Sequence, residues 1–204
     1  MREALYLVAA NLLVALAFAR AAGVIIGGLR SIAGRRGFRA TRFGIAEALV
    51  VPEPPLLAIM TFVLLRDELD AGGASAAQTL AMCAGAALAL AAAVLTIWTF
   101  RSWPGLFVGH AVAPGQGLVT DGAYGAVRHP VYAAAFLVWA GLALGFLSWP
   151  VACLLVLYVA PAYLAYMRSE ETMMLAEFGD AYRRYRARVP MLFPRLRLRH
   201  RRLA

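Results

Sequence analysis

Long apolar runs separated by short polar segments dominate this chain. Leu5–Leu29, Phe43–Leu65 and Ala76–Phe100 are each long enough to cross a bilayer, which takes about 20 helical residues. Val131–Leu147 and Val151–Met167 are shorter, near the low end of spanning length. Ser148-Trp149-Pro150 lies between those two. Trp favours the membrane interface and Pro the first turn of a helix, so the pair predicts a tight helical hairpin that crosses and returns. Beyond Met167 the chain turns polar. Met173, Met174, Phe178, Tyr182 and Tyr185 still recur at helical spacing over Ser169–Tyr185. That pattern predicts an amphipathic helix lying on the membrane surface or covering a pocket.

Composition strengthens the membrane reading. The 204 residues are 62% hydrophobic and 15% charged, with mean hydropathy +0.70. Soluble domains carry roughly 45–50% apolar and about 25% charged residues, and a small fold cannot hide such an excess. The apolar run after Met1-Arg2-Glu3 continues to Leu29, beyond the roughly 7–15 residues of a signal-peptide core, so it reads as a retained span.

The net charge of +9 would suggest nucleic acid in a soluble protein. Here it reads instead as cytoplasmic loops and anionic lipid, with no nucleic-acid partner. All 20 basic residues are Arg, which with the abundant Ala points to a GC-rich bacterial source. Five Arg and no acid fall in Arg30–Arg42, one Arg and three acids in Arg66–Asp70, and ten Arg after Met167. This alternation requires five spans, with the N-terminus outside and the C-terminal tail cytoplasmic. The expected fold is therefore all-α and polytopic, a single membrane domain over residues 1–204. Three N-terminal spans occupy residues 1–100. A cofactor loop, a helical hairpin and a cytoplasmic amphipathic helix occupy residues 101–204.

Several features have bland readings. Cys83 and Cys153 lie in apolar runs with no metal-ligand spacing, and read as small buried hydrophobes. Gly23-xxx-Gly27 and Gly141-xxx-Gly145 suit close helix packing. Arg195–Arg202 is a polybasic end touching solvent or lipid. Glu47 and Glu53 are unusual within a span, where an acid is a functional candidate by default. The prolines Pro52, Pro54 and Pro55 put Glu53 beside a broken helix end, at the interface. Glu47 lies near the cytoplasmic end, within reach of Arg42 or Arg20.

Chemistry concentrates in two stretches. Gln116 to Tyr132 joins a loop to the fourth span, and holds Gly117 and Gly122, then Arg128-His129-Pro130. Arg168-Ser169-Glu170-Glu171 follows the fifth span. The hairpin returns it to the same face, so His, Tyr, Arg and two Glu converge at one rim. Adjacent carboxylates there need cationic partners.

In order along the chain stand Gly122-Ala123-Tyr124, Arg128-His129-Pro130-Val131-Tyr132, Glu170-Glu171 and Phe178-Gly179-Asp180-Ala181-Tyr182. Arg188-Val189-Pro190 closes the series. The series resembles the isoprenylcysteine carboxyl methyltransferases and the related phospholipid methyltransferases over roughly residues 116–194. The resemblance implies S-adenosylmethionine as cofactor, bound over the last two spans. Gln116, Gly117, Leu118, Val119, Tyr124, His129, Pro130, Val131 and Tyr132 would line it. Glu170 or Glu171 would contact it from the other side. Arg168 would meet a substrate carboxylate, while His129 or Glu170 would serve as base for an amine acceptor. The expected partners are membrane lipids and a lipophilic methyl acceptor: an isoprenylcysteine-like carboxylate, a phospholipid amine or a hydrophobic small molecule. The competing readings are an NADPH-dependent membrane reductase of related architecture and a small transporter. A haem subunit is weaker still, because His110, His129 and His200 all lie outside the spans.

Overall fold

The computed structural model describes residues 1–33, 39–40, 44–69, 74–104, 111–112 and 115–194. Arg42, His110, His200 and the polybasic end lie outside the described residues, as do the expectations that rest on them. The helices are α1 (Arg2–Ala33), α2 (Ile45–Val50), α3 (Glu53–Leu69), α4 (Ala76–Ser102), α5 (Ala123–Ala126), α6 (Pro130–Gly145), α7 (Trp149–Leu154) and α8 (Ala160–Arg188). A π-helical turn, Leu155–Val159, joins α7 to α8. Apart from helix, the described residues contain a two-residue antiparallel pairing of Arg39–Ala40 with Ala111–Val112. The all-α membrane fold is thus as expected. Four helical segments are long and apolar enough to cross a membrane, and Pro130–Gly145 is a shorter fifth. Apolar side chains such as Leu5, Leu12, Phe62, Leu90 and Leu157 are exposed on the outer faces, where lipid in place of water makes their exposure favourable.

The closest packing is between α4 and α6. A Cβ on Gly85 would lie 2.5 Å from the Gly141 carbonyl oxygen and 2.8 Å from the Gly145 Cα. These backbones touch because no side chain intervenes, as the Gly141-xxx-Gly145 spacing predicts. Gly23 meets nothing at its Cβ position, so the first small-residue pattern packs differently from expectation. Among the cysteines, Cys83 is partly buried and Cys153 is exposed. Cys153 is apolar enough to face lipid, and does not fill a core as expected.

The last span departs most from expectation. It does not end at Met167 but continues in the same helix, and the tail expected as one amphipathic helix is divided. Gly179, at φ 49° and ψ −122°, breaks α8 in a conformation that favours glycine. The segment after it turns back over the rim. Upstream, Pro161 lacks the N–H that an α-helix needs, and the preceding turn widens to π geometry. Tyr158 in that turn donates its hydroxyl to the Leu49 carbonyl at 2.7 Å. It thereby satisfies a carbonyl near the α2–α3 break, where Pro52 interrupts the backbone ladder.

Candidate active site

The rim is assembled from three chain segments. The first is the loop before α6. Ser102 at the end of α4 accepts the Ala123 N–H at 2.9 Å and donates to the Trp98 carbonyl. Gly122 has φ 59°, and a Cβ there would lie 2.2 Å from the Ser102 hydroxyl oxygen. Only glycine fits. Trp103 meets the Tyr124 ring edge-on at 6.1 Å. The second segment is the start of α6, where Pro130 occupies the first turn after His129. The third is α8 on both sides of Gly179.

Glu171 is the hub. It is 3% exposed. Its Oε1 accepts from Arg128 Nε at 2.7 Å and Nη2 at 2.6 Å, and lies 3.2 Å from His129 Nε2. Its Oε2 lies 3.3 Å from Arg186 Nε. On an uninterrupted helix Glu171 and Arg186 would stand about 22 Å apart, at 1.5 Å per residue, so the Gly179 break makes this pairing. The same fold-back lets Tyr185 donate to the Tyr124 carbonyl at 2.7 Å. Arg128 N–H donates to the Pro190 carbonyl at 2.8 Å and His129 N–H to the Met191 carbonyl at 3.1 Å. Arg128 Nη1 donates to the Val189 carbonyl. Charge-assisted bonds of this kind are about twice as strong as neutral ones.

His129 has a carboxylate at each ring nitrogen, with Nδ1 3.5 Å from Glu170 Oε2. Burial disfavours its charged form, but hydrogen bonds to Glu170 and Glu171 outweigh that and raise its pKa above the ordinary value of 6.5. Facing two acceptors, the ring is best satisfied as a doubly protonated imidazolium. Burial also opposes the charged form of Glu171, yet hydrogen bonds from His129 and Arg128 leave its pKa lowered. Burial, reinforced by the Glu170 charge, pushes the Tyr124 phenol well above its usual range, so it remains a neutral donor.

Glu170 differs from its neighbour. Its side chain is 28% exposed and it stands between His129 and Tyr132. Tyr132 stacks 5.6 Å from His129, 5.3 Å from Tyr163 and 5.7 Å from Tyr166.

The structure therefore brings together His129, Pro130, Tyr132, Tyr124, Glu170 and Glu171. Val131 is half-buried beside them on α6. Gln116–Val119 form an irregular segment in which Gly117 is exposed, with open space where a Cβ would stand. No hydrogen bond or ring contact joins Gly117, Leu118 or Val119 to the His129–Glu171 cluster among the described residues. Arg168 is exposed and forms no ion pair among the described residues. Sequence reasoning missed Arg186, which it read as part of a basic tail. It also missed Ser102, Tyr163 and Tyr166. A polar serine two residues past an apolar run, and tyrosines spaced as one helix face, were the available signals.

Glu53 departs from expectation, whereas the Arg42 alternative for Glu47 lies outside the described residues. Glu47 accepts the Gly44 N–H at 2.7 Å and lies 3.4 Å from the Ser169 hydroxyl, which ties α2 to α8. Arg20 instead donates to Tyr163. Glu53 opens α3 at the helix break, but not at the interface. It is 2% exposed and accepts from Trp139 Nε1 at 2.7 Å. The fourth span carries Trp139 deep into the bundle, and Glu53 follows it there.

Residues 80–181 match the model of a family described as phospholipid methyltransferase. No curated protein matches the chain.

Proposed function

This chain belongs to the phospholipid methyltransferase family, and on that footing we propose that it transfers the methyl group of S-adenosylmethionine to a lipophilic acceptor at the cytoplasmic face of a bacterial plasma membrane. The arginine distribution, five in Arg30–Arg42 and ten beyond Met167, supports that orientation.

The observation that carries the reading is the unequal pair of carboxylates. Glu171 is spent on two arginines and a histidine. Glu170 keeps a partly exposed carboxylate beside an aromatic ring, at the mouth of a membrane helix. That donor set fits the cofactor, which carries an ammonium, a sulfonium and a flat adenine. Glu170 would hold a cationic group, and Tyr132 would supply a flat wall. His129 and Pro130 would shape the floor, and Tyr124 with Gln116, Gly117, Leu118 and Val119 would flank the opening. When bound, the cofactor supplies an electrophilic methyl on a sulfonium, which becomes a neutral thioether as the methyl leaves for the acceptor.

The protein's own contribution is then placement and exclusion of water. Buried tyrosines behind the rim keep the site dry. An acceptor amine has to lose a proton, and Glu170 would take it. His129, held by two carboxylates in its charged form, is poorly suited to that role. For a carboxylate acceptor no base is needed, and the exposed Arg168 guanidinium would steady its charge.

Calorimetry of S-adenosylhomocysteine on the detergent-purified protein, with NADPH as comparison, tests the reading. Binding of the former alone is expected, with labelled methyl then passing from the cofactor to a component of membrane lipid extracts. Binding of NADPH alone would move the chain to the reductases. Glu170→Gln is expected to weaken S-adenosylhomocysteine binding about tenfold or more with little change in Tm, from loss of one charge-assisted contact.

A further inference from the structure

Arg20 and Glu53 lie outside the family-matched residues and away from the rim, yet both are held within the bundle. Glu53 Oε1 takes the Trp139 indole N–H, and Oε2 is buried without a hydrogen bond among the described residues. Arg20 Nη2 donates to the Tyr163 hydroxyl at 3.2 Å. Counting from Pro130 to Trp139, from Glu171 back to Tyr163 and from Leu29 back to Arg20 gives similar depths. At 1.5 Å per residue each is about 12–14 Å from the rim, close to the middle of a hydrocarbon layer about 30 Å thick. Ionisable groups at that depth are costly and call for a reason.

Tying helices together is one reason, and the Glu53–Trp139 bond alone would serve it. The second connection leads elsewhere. Tyr163, tethered at its hydroxyl by Arg20, packs 5.3 Å from Tyr132. Tyr132 packs 5.6 Å from His129. Phe136 closes against Tyr163 from the side at 5.8 Å. The Tyr132 ring therefore packs against His129, Tyr166 and a hydroxyl-anchored Tyr163. A ring anchored only by apolar contact can slide and tilt, whereas one also fixed at its polar end cannot do so without breaking that bond.

The geometry points to Arg20 as a positioning residue: it fixes Tyr163 from within the membrane, and through it the Tyr132 ring that walls the cofactor pocket. The inference rests on the reading of the rim as the cofactor site. It makes the first span part of the site's machinery, although Arg20 stands away from the rim.

The test is calorimetry of S-adenosylhomocysteine on the purified full-length chain, together with Tm. Arg20→Met and Tyr163→Phe are each expected to weaken binding about five- to tenfold, the scale of coupling through packed side chains. Because both act on one ring, the double variant should bind no more weakly than the worse single variant. Both effects should vanish in a Tyr132→Leu background, and Arg20→Lys should restore part of the affinity. Purely structural damage would lower Tm in proportion and add between sites. Unchanged affinity in Arg20→Met and Tyr163→Phe overturns the inference, as do additive losses or losses that persist with Tyr132→Leu. If Arg20→Met does not fold, Tyr163→Phe, which removes a single oxygen, carries the same cycle with Tyr132→Leu. A parent protein that fails to bind S-adenosylhomocysteine overturns the reading of the rim and this inference with it. A parent that binds isolates the inference for judgement.

Discussion

Among the described residues, two clusters of buried ionisable side chains are built on opposite plans. At the rim, Glu171 is saturated: one oxygen faces three donors, and the other faces Arg186. In the interior, Glu53 has one neutral donor, the Trp139 indole, and an oxygen with no hydrogen bond among the described residues. The rim cluster joins three chain segments that would otherwise part. The interior cluster bridges α3 to α6 and α1 to α8 inside a bundle already held by the apolar packing of α1 against α3 and α4 and of α4 against α6. Buried charge organises a structure where it is the main tie, and merely has to be tolerated where packing has done the work.

The sharpest way to break this contrast is Glu171→Ala. It leaves Arg128 buried and Arg186 without its acid, and breaking a buried ion pair typically costs about 3–5 kcal/mol. We place it at the low end, about 3 kcal/mol, because Arg186 is half exposed. Tm should fall clearly, with S-adenosylhomocysteine binding lost. A variant with parental Tm would show that the Glu171 pairs do not hold the rim together.

Gly179→Ala should cost less. Open space surrounds the Cβ position, so only the backbone conformation resists, at about 1–3 kcal/mol. Because the turn delivers Arg186, Tyr185 and Val189 to the rim, ligand affinity should fall along with Tm. A drop in Tm with affinity intact would mean that the pocket does not depend on the fold-back.

A pH series isolates His129. Its pKa is raised in the folded protein, so its partnership with the two glutamates stabilises fully below the unfolded value of about 6.5. That contribution is lost as pH rises through the higher folded value. The Tm difference between parent and His129→Gln should be largest near pH 6 and shrink as pH increases. A difference independent of pH would show that the ring acts by shape alone. Glu171, with its pKa lowered, behaves oppositely. Its contribution is present above its ordinary value and is lost only as acid protonates it.

The smallest effect on stability is expected from Glu53→Gln. The amide oxygen still accepts from Trp139, so the link between α3 and α6 is kept. Tm should move by no more than about 1 kcal/mol equivalent in either direction, since a neutral isostere of a buried charge is often neutral or stabilising. A large loss would place Glu53 among the main ties of the fold and erase the contrast with Glu171.

Much of the fold was legible because bilayer crossing is written in local sequence. Apolar length set the spans, Pro130 and Trp149-Pro150 set the hairpin ends, and the paired glycines of α6 announced close packing against another helix, which the structure identifies as α4. The motif string also marked His129, Tyr132 and the glutamate pair, because chemistry at a helix mouth needs particular residue types at particular spacings. It did not separate Glu170 from Glu171. That distinction depends on Arg186, fifteen positions beyond Glu171 on a helix whose reversal at Gly179 no periodicity foretells. Nor did sequence place Glu53. A proline-rich break looks like an interface until the depth of Trp139 on another helix is known. Local pattern determined which segments are helices and which residues carry chemistry, because hydropathy and capping act over a few neighbouring positions. The tertiary structure alone decided which carboxylate is buried among two arginines and a histidine and which keeps a partly exposed face, because ion pairing and burial are contacts between segments distant along the chain.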